Sequence, residues 1–297
     1  MNGVLFIAKE KSGYEDIVKM ATVIVPAHNE ASVIEDCLNS IINQEGIDHI
    51  IVPCNGCTDN TVEIVKSKFP NVICLDIEKP SKTNALNVGE AKAKELGVTY
   101  PIFYIDADTQ LSENCIPHIT KALENGETQL AAPTPIIDTR KSSWLVQTYY
   151  RVWTQLPYIK EGVIATCSFI VTEEGRKRFD VFADVIGDDG FIRCHFKNKE
   201  IANIKGAEIF ITAPRDIFSL IKIKTRARLG NMELIARKKC PVQEAKNYGN
   251  VMKSRLLSKE FVPTSIYILI ALLIRVRAKQ QFKNLDSYQW EKDTSSR

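Results

Sequence analysis

Thr22-Val-Ile-Val-Pro-Ala-His-Asn-Glu30 is the stretch that decides the fold. Its first part, Thr22 to Pro26, is an apolar run that reads as a buried strand, and it breaks at once into polar His28-Asn29-Glu30. Directly afterwards Val33, Ile34, Cys37, Leu38, Ile41 and Ile42 recur at helical spacing and make one apolar stripe. Working outward, Asp48 to Pro53 reads as a second strand that runs into the turn-rich Asn55-Gly56-Cys57-Thr58-Asp59. A short helix over Thr61 to Lys68, a strand over Val72 to Leu75, a helix over Asn84 to Leu96 and a strand over Ile102 to Ile105 follow. Strands alternating with helices predict an α/β fold with a parallel sheet of βαβ units. Ligands of such sheets sit outside the carboxyl ends of the strands. Polar clusters fall at three of those ends: His28 to Glu30, Asn55 to Asp59, and Asp106-Ala107-Asp108.

Beyond residue 130 the pattern loosens. Trp144 to Tyr158 is rich in aromatics and reads as helix; Trp144, Tyr149, Tyr150, Trp153 and Tyr158 suit either core packing or stacking on a ligand. Gly162 to Val171 reads as a strand, Asp188 to Phe196 as a short helix, Ile201 to Ala213 as one or two strands, and Pro214 to Lys239 as a long basic helix or helix pair.

The 297 residues are 44% hydrophobic and 25% charged, the balance of an ordinary folded soluble protein. A net charge of +3 gives no concentrated basic stripe, so nucleic acid is not an expected partner. The eight cysteines are scattered, and Cys54-x-x-Cys57 has no second pair or neighbouring His to complete a zinc site. Free thiols and a reducing, cytoplasmic location are expected. The apolar run Val4 to Ala8 is too short, and too closely followed by Lys9-Glu10-Lys11, to be a secretory signal. Ile266 to Ile274 is the most apolar stretch; it falls short of the ~20 residues that cross a bilayer. Arg275, Arg277 and Lys279 follow it, so it reads either as a buried docking helix or as a peripheral membrane contact with basic residues at anionic headgroups.

Asp106 and Asp108 end an apolar strand two residues apart. At strand spacing both side chains point to one side, and two converging carboxylates suit a divalent metal, Mg²⁺ or Mn²⁺. Such an ion neutralises charge on a departing diphosphate. A pair of turn-forming aspartates is the alternative.

Four segments in order, Val23-Ile-Val-Pro-Ala-His-Asn-Glu30, Asn55-Gly-Cys-Thr-Asp-Asn-Thr61, Ser81-Lys-Thr-Asn-Ala-Leu-Asn87 and Asp106-Ala-Asp108, resemble inverting glycosyltransferases of family 2. The resemblance implies a single, Rossmann-like glycosyltransferase-A domain with a mostly parallel central sheet and a C-terminal helical extension. It divides the chain into an N-terminal extension (1–20), a transferase domain (21–240, with nucleotide-binding half 21–110 and acceptor-binding half 111–240) and a helical tail (241–297). It also implies a nucleotide-diphosphate sugar donor and a glycan, lipid-linked or small-molecule acceptor. Pro26, Ala27, Asn29 and Glu30 would cup the nucleotide. Asn55 stands where the family usually has an Asp that accepts from the uracil N–H. An amide both accepts and donates, which leaves the base open. Lys82 would approach the donor, with Asp106 and Ala107 against it and Asp108 on the metal. In Gly187-Asp188-Asp189-Gly190 the second acid, Asp189, matches the base that deprotonates the acceptor hydroxyl, supported by Asp188; an N-cap with a first-turn acid is the plainer reading. In the run Lys222, Lys224, Arg226, Arg228, Arg226 is the better positional match to a diphosphate-binding arginine and Arg228 the fallback, although the family's usual Gln and Trp are missing. Two rivals remain: a nucleotidyltransferase acting on sugar phosphates, against which the glycine-free Ala27 to Glu30 turn counts, and a non-catalytic membrane-associated nucleotide-sugar-binding protein.

Overall fold

The computed structural model describes residues 19–160, 167–242, 249–285, 288, 291 and 295. Most of the expected N-terminal extension, the start of the strand expected from Gly162, and the side chain of Tyr158 lie outside the described residues. In order, the elements are β1 (Ala21–Ile24), α1 (Ile34–Ile42), β2 (Ile47–Asn55), α2 (Thr61–Lys68), β3 (Ile73–Ile77), α3 (Lys82–Leu96), β4 (Ile102–Ile105), β5 (Thr109–Leu111), α4 (Cys115–Ala122), β6 (Leu130–Asp138), α5 (Trp144–Trp153), α6 (Pro157–Lys160), β7 (Ser168–Val171), α7 (Glu173–Arg176), α8 (Asp188–Arg193), β8 (Ile201–Thr212), α9 (Ile217–Ala236), α10 (Gly249–Leu256) and α11 (Phe261–Phe282).

Among the described residues one eight-stranded sheet runs β3-β2-β1-β4-β7-β6-β8-β5. β1 pairs in parallel with both β2 and β4, and β2 with β3. β6 and β8 are also parallel, while β7 and β5 run against their neighbours. The sheet is thus mostly parallel, as expected. Because strand side chains alternate, Val23, Val25, Phe103 and Ile105 face α1, α2 and α4, whereas Ile24, Ile102 and Tyr104 face α3 and α8. A third cluster joins α5, α9 and α11 through Val146, Leu220, Ile270 and Ile274.

Several local expectations change. The aromatic stretch breaks after Trp153, and Tyr149, Tyr150 and Trp153 are buried in the third cluster, so core packing accounts for these three. The Ile266–Ile274 run is the centre of a 22-residue helix, long and apolar enough by composition to cross a membrane, and so longer than the run itself implied. Cys194 and Cys240, 46 residues apart, form a disulfide, where free thiols were expected throughout; Cys54 and Cys57 remain free.

A buried polar triad spans the sheet's second face. The Arg176 guanidinium clamps Glu90, with Nε to Oε1 at 2.7 Å and Nη2 to Oε2 at 2.5 Å, and Tyr104 donates its hydroxyl to the same carboxylate. Arg176 also donates to the carbonyls of Phe179 and Asp180, which fixes the chain that leads towards α8.

Candidate active site

The β1 and β2 ends are laced together before any ligand is considered. Ala27 continues the ladder past β1, its N–H donating to Pro53 O and its carbonyl accepting from Asn55 N. Pro26 and Ala27 are buried and form the floor. Asn29 adopts φ 54°, and its carboxamide oxygen accepts from the N–H groups of Thr58 at 2.7 Å and Asp59 at 3.3 Å. That side chain therefore holds two loops together, which the sequence reading of it as a nucleotide contact did not anticipate. Asp59 accepts from Ala31 N and Thr61 N in the same lacing. Gly56 is required: it has φ 57°, and a Cβ there would meet Pro80 Cβ at 2.8 Å.

Two further polar residues of this half are buried. Asn55 is 3% exposed and commits Nδ2 to Ala27 O at 2.8 Å, so its carboxamide oxygen is the atom directed elsewhere. Glu30 is buried and lies one turn ahead of α1, its carbonyl accepting from Val33 N and Ile34 N. It therefore precedes the helix and is not one of its first-turn acids.

The acidic centre forms where β4 ends. Asp106 leaves the strand and, with Ala107 and Asp108, makes a turn closed by Thr109 N donating to Asp106 O at 3.2 Å. The i, i+2 strand argument thus fails: the two carboxylates are brought near each other by a turn, with Ala107 buried, Asp106 half-buried and Asp108 exposed. Lys82, the first residue of α3 after the Ser81 cap, reaches Asp106 Oδ1 at 2.6 Å and Asp188 Oδ2 at 3.0 Å. One ammonium therefore ties the β4 turn to the start of α8. Burial lowers the Lys82 pKa, but the two carboxylates outweigh it and hold it well above the usual lysine value. Burial pushes the Asp106 carboxyl up to about 6 against the pull of Lys82, with Asp188 and Asp108 adding repulsion.

Asp188 and Asp189 both lie in the first turn of α8 behind Gly187, which supplies no side-chain cap. Asp189 Oδ1 accepts from Gly190 N at 2.6 Å. Burial first, then Asp188, raises its pKa, while Lys82 and Arg226 oppose this. The turn is held from behind. Glu233, 2% exposed, accepts from Ile186 N at 2.7 Å, and a Cβ on Gly230 would meet Gly187 N at 2.9 Å, so α8 starts directly on α9.

On α9, Arg226 is close enough to act on Asp189, and donates to Glu291 O at 2.9 Å. Among the described residues Arg228 makes no ion pair with these acids; it is exposed and lines a groove against α11. Lys224, only one member of a basic run in the sequence, sits 4.1 Å from the Trp153 ring centre and 5.2 Å from that of Tyr150. Burial lowers its pKa to about 8 despite the fields of Cys167 and Asp189. Its signal in the sequence was its i+4 spacing from Leu220 at the aromatic cluster, a pattern any buried lysine stem shares.

Asp106, Asp108, Asp188, Asp189 and Lys82 thus gather in one charged cluster at the carboxyl rim. The family model described as glycosyl transferase family 2 matches residues 22–170, which contains the whole β1-to-β4 half of it. The chain belongs to glycosyl transferase family 2. Hyaluronan synthase of Pasteurella multocida is 31% identical over 105 residues, and glycosyltransferase SunS of Bacillus subtilis (strain 168) is 32% identical over 111. These matches cover 33% and 37% of this family 2 chain but only 10% and 25% of those proteins. Among solved structures, mannosyltransferase PcManGT from Pyrobaculum calidifontis, solved with GDP-Man and Mn²⁺, superposes with a TM-score of 0.58 at 16% identity, over 92% of this chain and 81% of that one. Residues 1–349 of S. aureus TarS, solved with UDP, give 0.50 at 11% identity over 93% and 95%. The chain shares the glycosyltransferase-A fold with these two structures.

The site's donors also bear on a metal. Among the described residues no three His, Cys, Asp or Glu side chains form a ready cage. Small hard cations keep several waters, taking one or two carboxylates plus substrate phosphates. An exposed Asp108 beside Asp106, in a centre whose acids outnumber its nearest lysine, fits that kind of site.

Proposed function

We propose that this family 2 protein transfers a sugar from a nucleotide-diphosphate donor to an acceptor hydroxyl, with inversion at the anomeric carbon and with a divalent metal. The observation that carries this is the single ammonium of Lys82 bridging Asp106 and Asp188 at 2.6 and 3.0 Å, which joins the donor-side turn to the acid pair. Residues 21–110 would supply the nucleotide half and 111–240 the acceptor half of the domain, with 241–297 as a tail at the membrane side. We place it in the cytoplasm, peripheral on the membrane; Cys54 and Cys74, with sulfurs 3.8 Å apart, are free, whereas Cys194 and Cys240 are bonded.

In this reading the Asn55 carboxamide oxygen accepts from a base N–H and Glu30 faces the base or ribose. Asp108, assisted by Asp106, would hold Mg²⁺ or Mn²⁺, whose bound charge stabilises the leaving diphosphate. Asp106 and Lys82 would orient the donor sugar, and Arg226 would meet the diphosphate, whose oxygens suit its planar fork. Asp189 accepts the proton of the acceptor hydroxyl as that oxygen attacks the anomeric carbon from the face opposite the leaving group. Asp188 keeps Lys82 and the start of α8 in register. The geometric need is proximity: holding nucleophile, base and electrophile in one cleft removes much of the entropy cost of the encounter.

Incubation with a panel of nucleotide sugars, acceptor and Mn²⁺ tests the proposal through release of nucleoside diphosphate. Pyrophosphate formed from a sugar phosphate and a nucleoside triphosphate would make the protein a nucleotidyltransferase instead. Nucleotide binding without any turnover across the panel would make it a binding protein.

A further inference from the structure

α11 is apolar on both of its sides, and only one of them is covered among the described residues. Thr264, Ile270, Ile274 and Ala278 are buried against the domain. On the opposite side Val262, Leu269, Leu272, Leu273 and Val276 are 47–63% exposed. A helix resting on a water-soluble domain ordinarily turns a polar stripe outward. Beside this stripe runs a groove of about 440 Å³, floored by Met232, Leu272 and Val276 and rimmed by Arg228, Arg275 and Lys279. None of these three cations makes an ion pair within the described residues, whereas the nearby Arg277 is held by Glu291 at 2.5 Å.

We propose that this face is a docking surface for a bilayer containing anionic phospholipid, with α11 lying in the interface, its leucines among the upper acyl chains and Arg228, Arg275 and Lys279 at lipid phosphates. Three observations select that occupant. The exposed apolar stripe and the cations adjoin, the arrangement that a headgroup above an acyl chain complements. Phe261 to Phe282 contains no Asp or Glu, so a second copy seated on the same face would bring cations into a shared apolar contact with no acid on either helix to meet them. The inner side of the helix, Thr264, Ile270, Ile274 and Ala278, is already docked on protein, so the helix lies along the surface and does not cross. Arg228 is one helical turn beyond Lys224, so the docking face adjoins the acceptor side of the cleft on α9. The docking reading stands apart from the transfer reading and would hold for a binding protein as well.

Sedimentation of the full chain with vesicles tests it. Wild type is expected to pellet with phosphatidylcholine–phosphatidylglycerol vesicles and far less with phosphatidylcholine alone. Arg228→Gln/Arg275→Gln/Lys279→Gln should lower partitioning onto the mixed vesicles roughly 100-fold, on the usual worth of a surface basic residue. Leu269→Glu/Leu273→Glu should abolish pelleting with both. All these side chains are outward, so melting temperature and nucleotide-sugar binding should stay at wild-type values, which separates this result from a failure of the catalytic reading. Equal binding of wild type to both vesicle types, or wild-type pelleting by the leucine variants, would overturn the proposal. So would a wild-type dimer in solution that the leucine variants convert to monomer, since a second copy would then own the face.

Discussion

Removing the Arg176 guanidinium is the perturbation whose cost the structure defines best. In Arg176→Met the volume is roughly kept, but Glu90, with a side chain 4% exposed, loses its bidentate partner and keeps only the Tyr104 hydroxyl. A buried charge stripped of its partner costs ~3–5 kcal/mol. An escape route caps that figure: taking up a proton at pH 7 costs an ordinary glutamate roughly 3.7 kcal/mol, from 2.7 pH units at 1.36 each. The expected loss is therefore about 3–4 kcal/mol, or a fall in Tm of roughly 6–16 °C at the 2–4 °C per kcal/mol usual for larger domains. Urea and thermal unfolding followed by circular dichroism measure it. Glu90→Gln/Arg176→Met should recover more than half of the loss at pH 7, because the neutral amide still accepts from Tyr104. A loss below about 1 kcal/mol would refute the argument that this pair is buried and mutually dependent.

Other expectations concern the cleft. With the Asp189 pKa raised by burial and by Asp188, the acid limb of kcat/KM should lie above the ordinary carboxylate range, activity falling as Asp189 takes up a proton; Asp188→Asn should move that limb to lower pH, and an upward shift would contradict the assignment. Gly230→Ala forces a Cβ to within 2.9 Å of Gly187 N and so displaces the start of α8; transfer should drop at least ~10-fold while nucleotide binding, measured by calorimetry, is retained. Asp108→Ala should weaken Mn²⁺-dependent donor binding, and an unaltered metal requirement would remove it as a ligand.

The parallel half was legible because buried strands there are short apolar runs, and each ends in polar residues that cannot be core. Its limits are physical too. Asp106 and Asp108 were placed together for the wrong reason, since the strand had already ended at Ile105. β6 was invisible because Pro133 and Pro135 look like loop. They are tolerated because β6 pairs with β7 only at Leu130 and Ala131, so beyond these the prolines' missing N–H groups leave no gap in that ladder, while β8 pairs along the other side. The Glu90–Arg176 clamp joins residues 86 apart, and its one local trace was a glutamate among Leu86 and Ala93 on the buried stripe of α3. The Cys194–Cys240 link could not be read from eight scattered cysteines, whose spacing does not define connectivity. Arg228 and Arg226 are two residues apart on a helix, which turns them to different sides; only the packing of α9 shows which side meets the acids.

The most direct measurement compares donor binding and sugar transfer in Asp189→Asn. The cleft described here predicts nucleotide-sugar affinity within about twofold of wild type, since the donor-side turn and the Lys82 bridge are untouched, with transfer reduced by at least ~100-fold for want of the base. Transfer at the wild-type rate would show that the acid at the head of α8 takes no proton from the acceptor, and the proposed chemistry would fail with it.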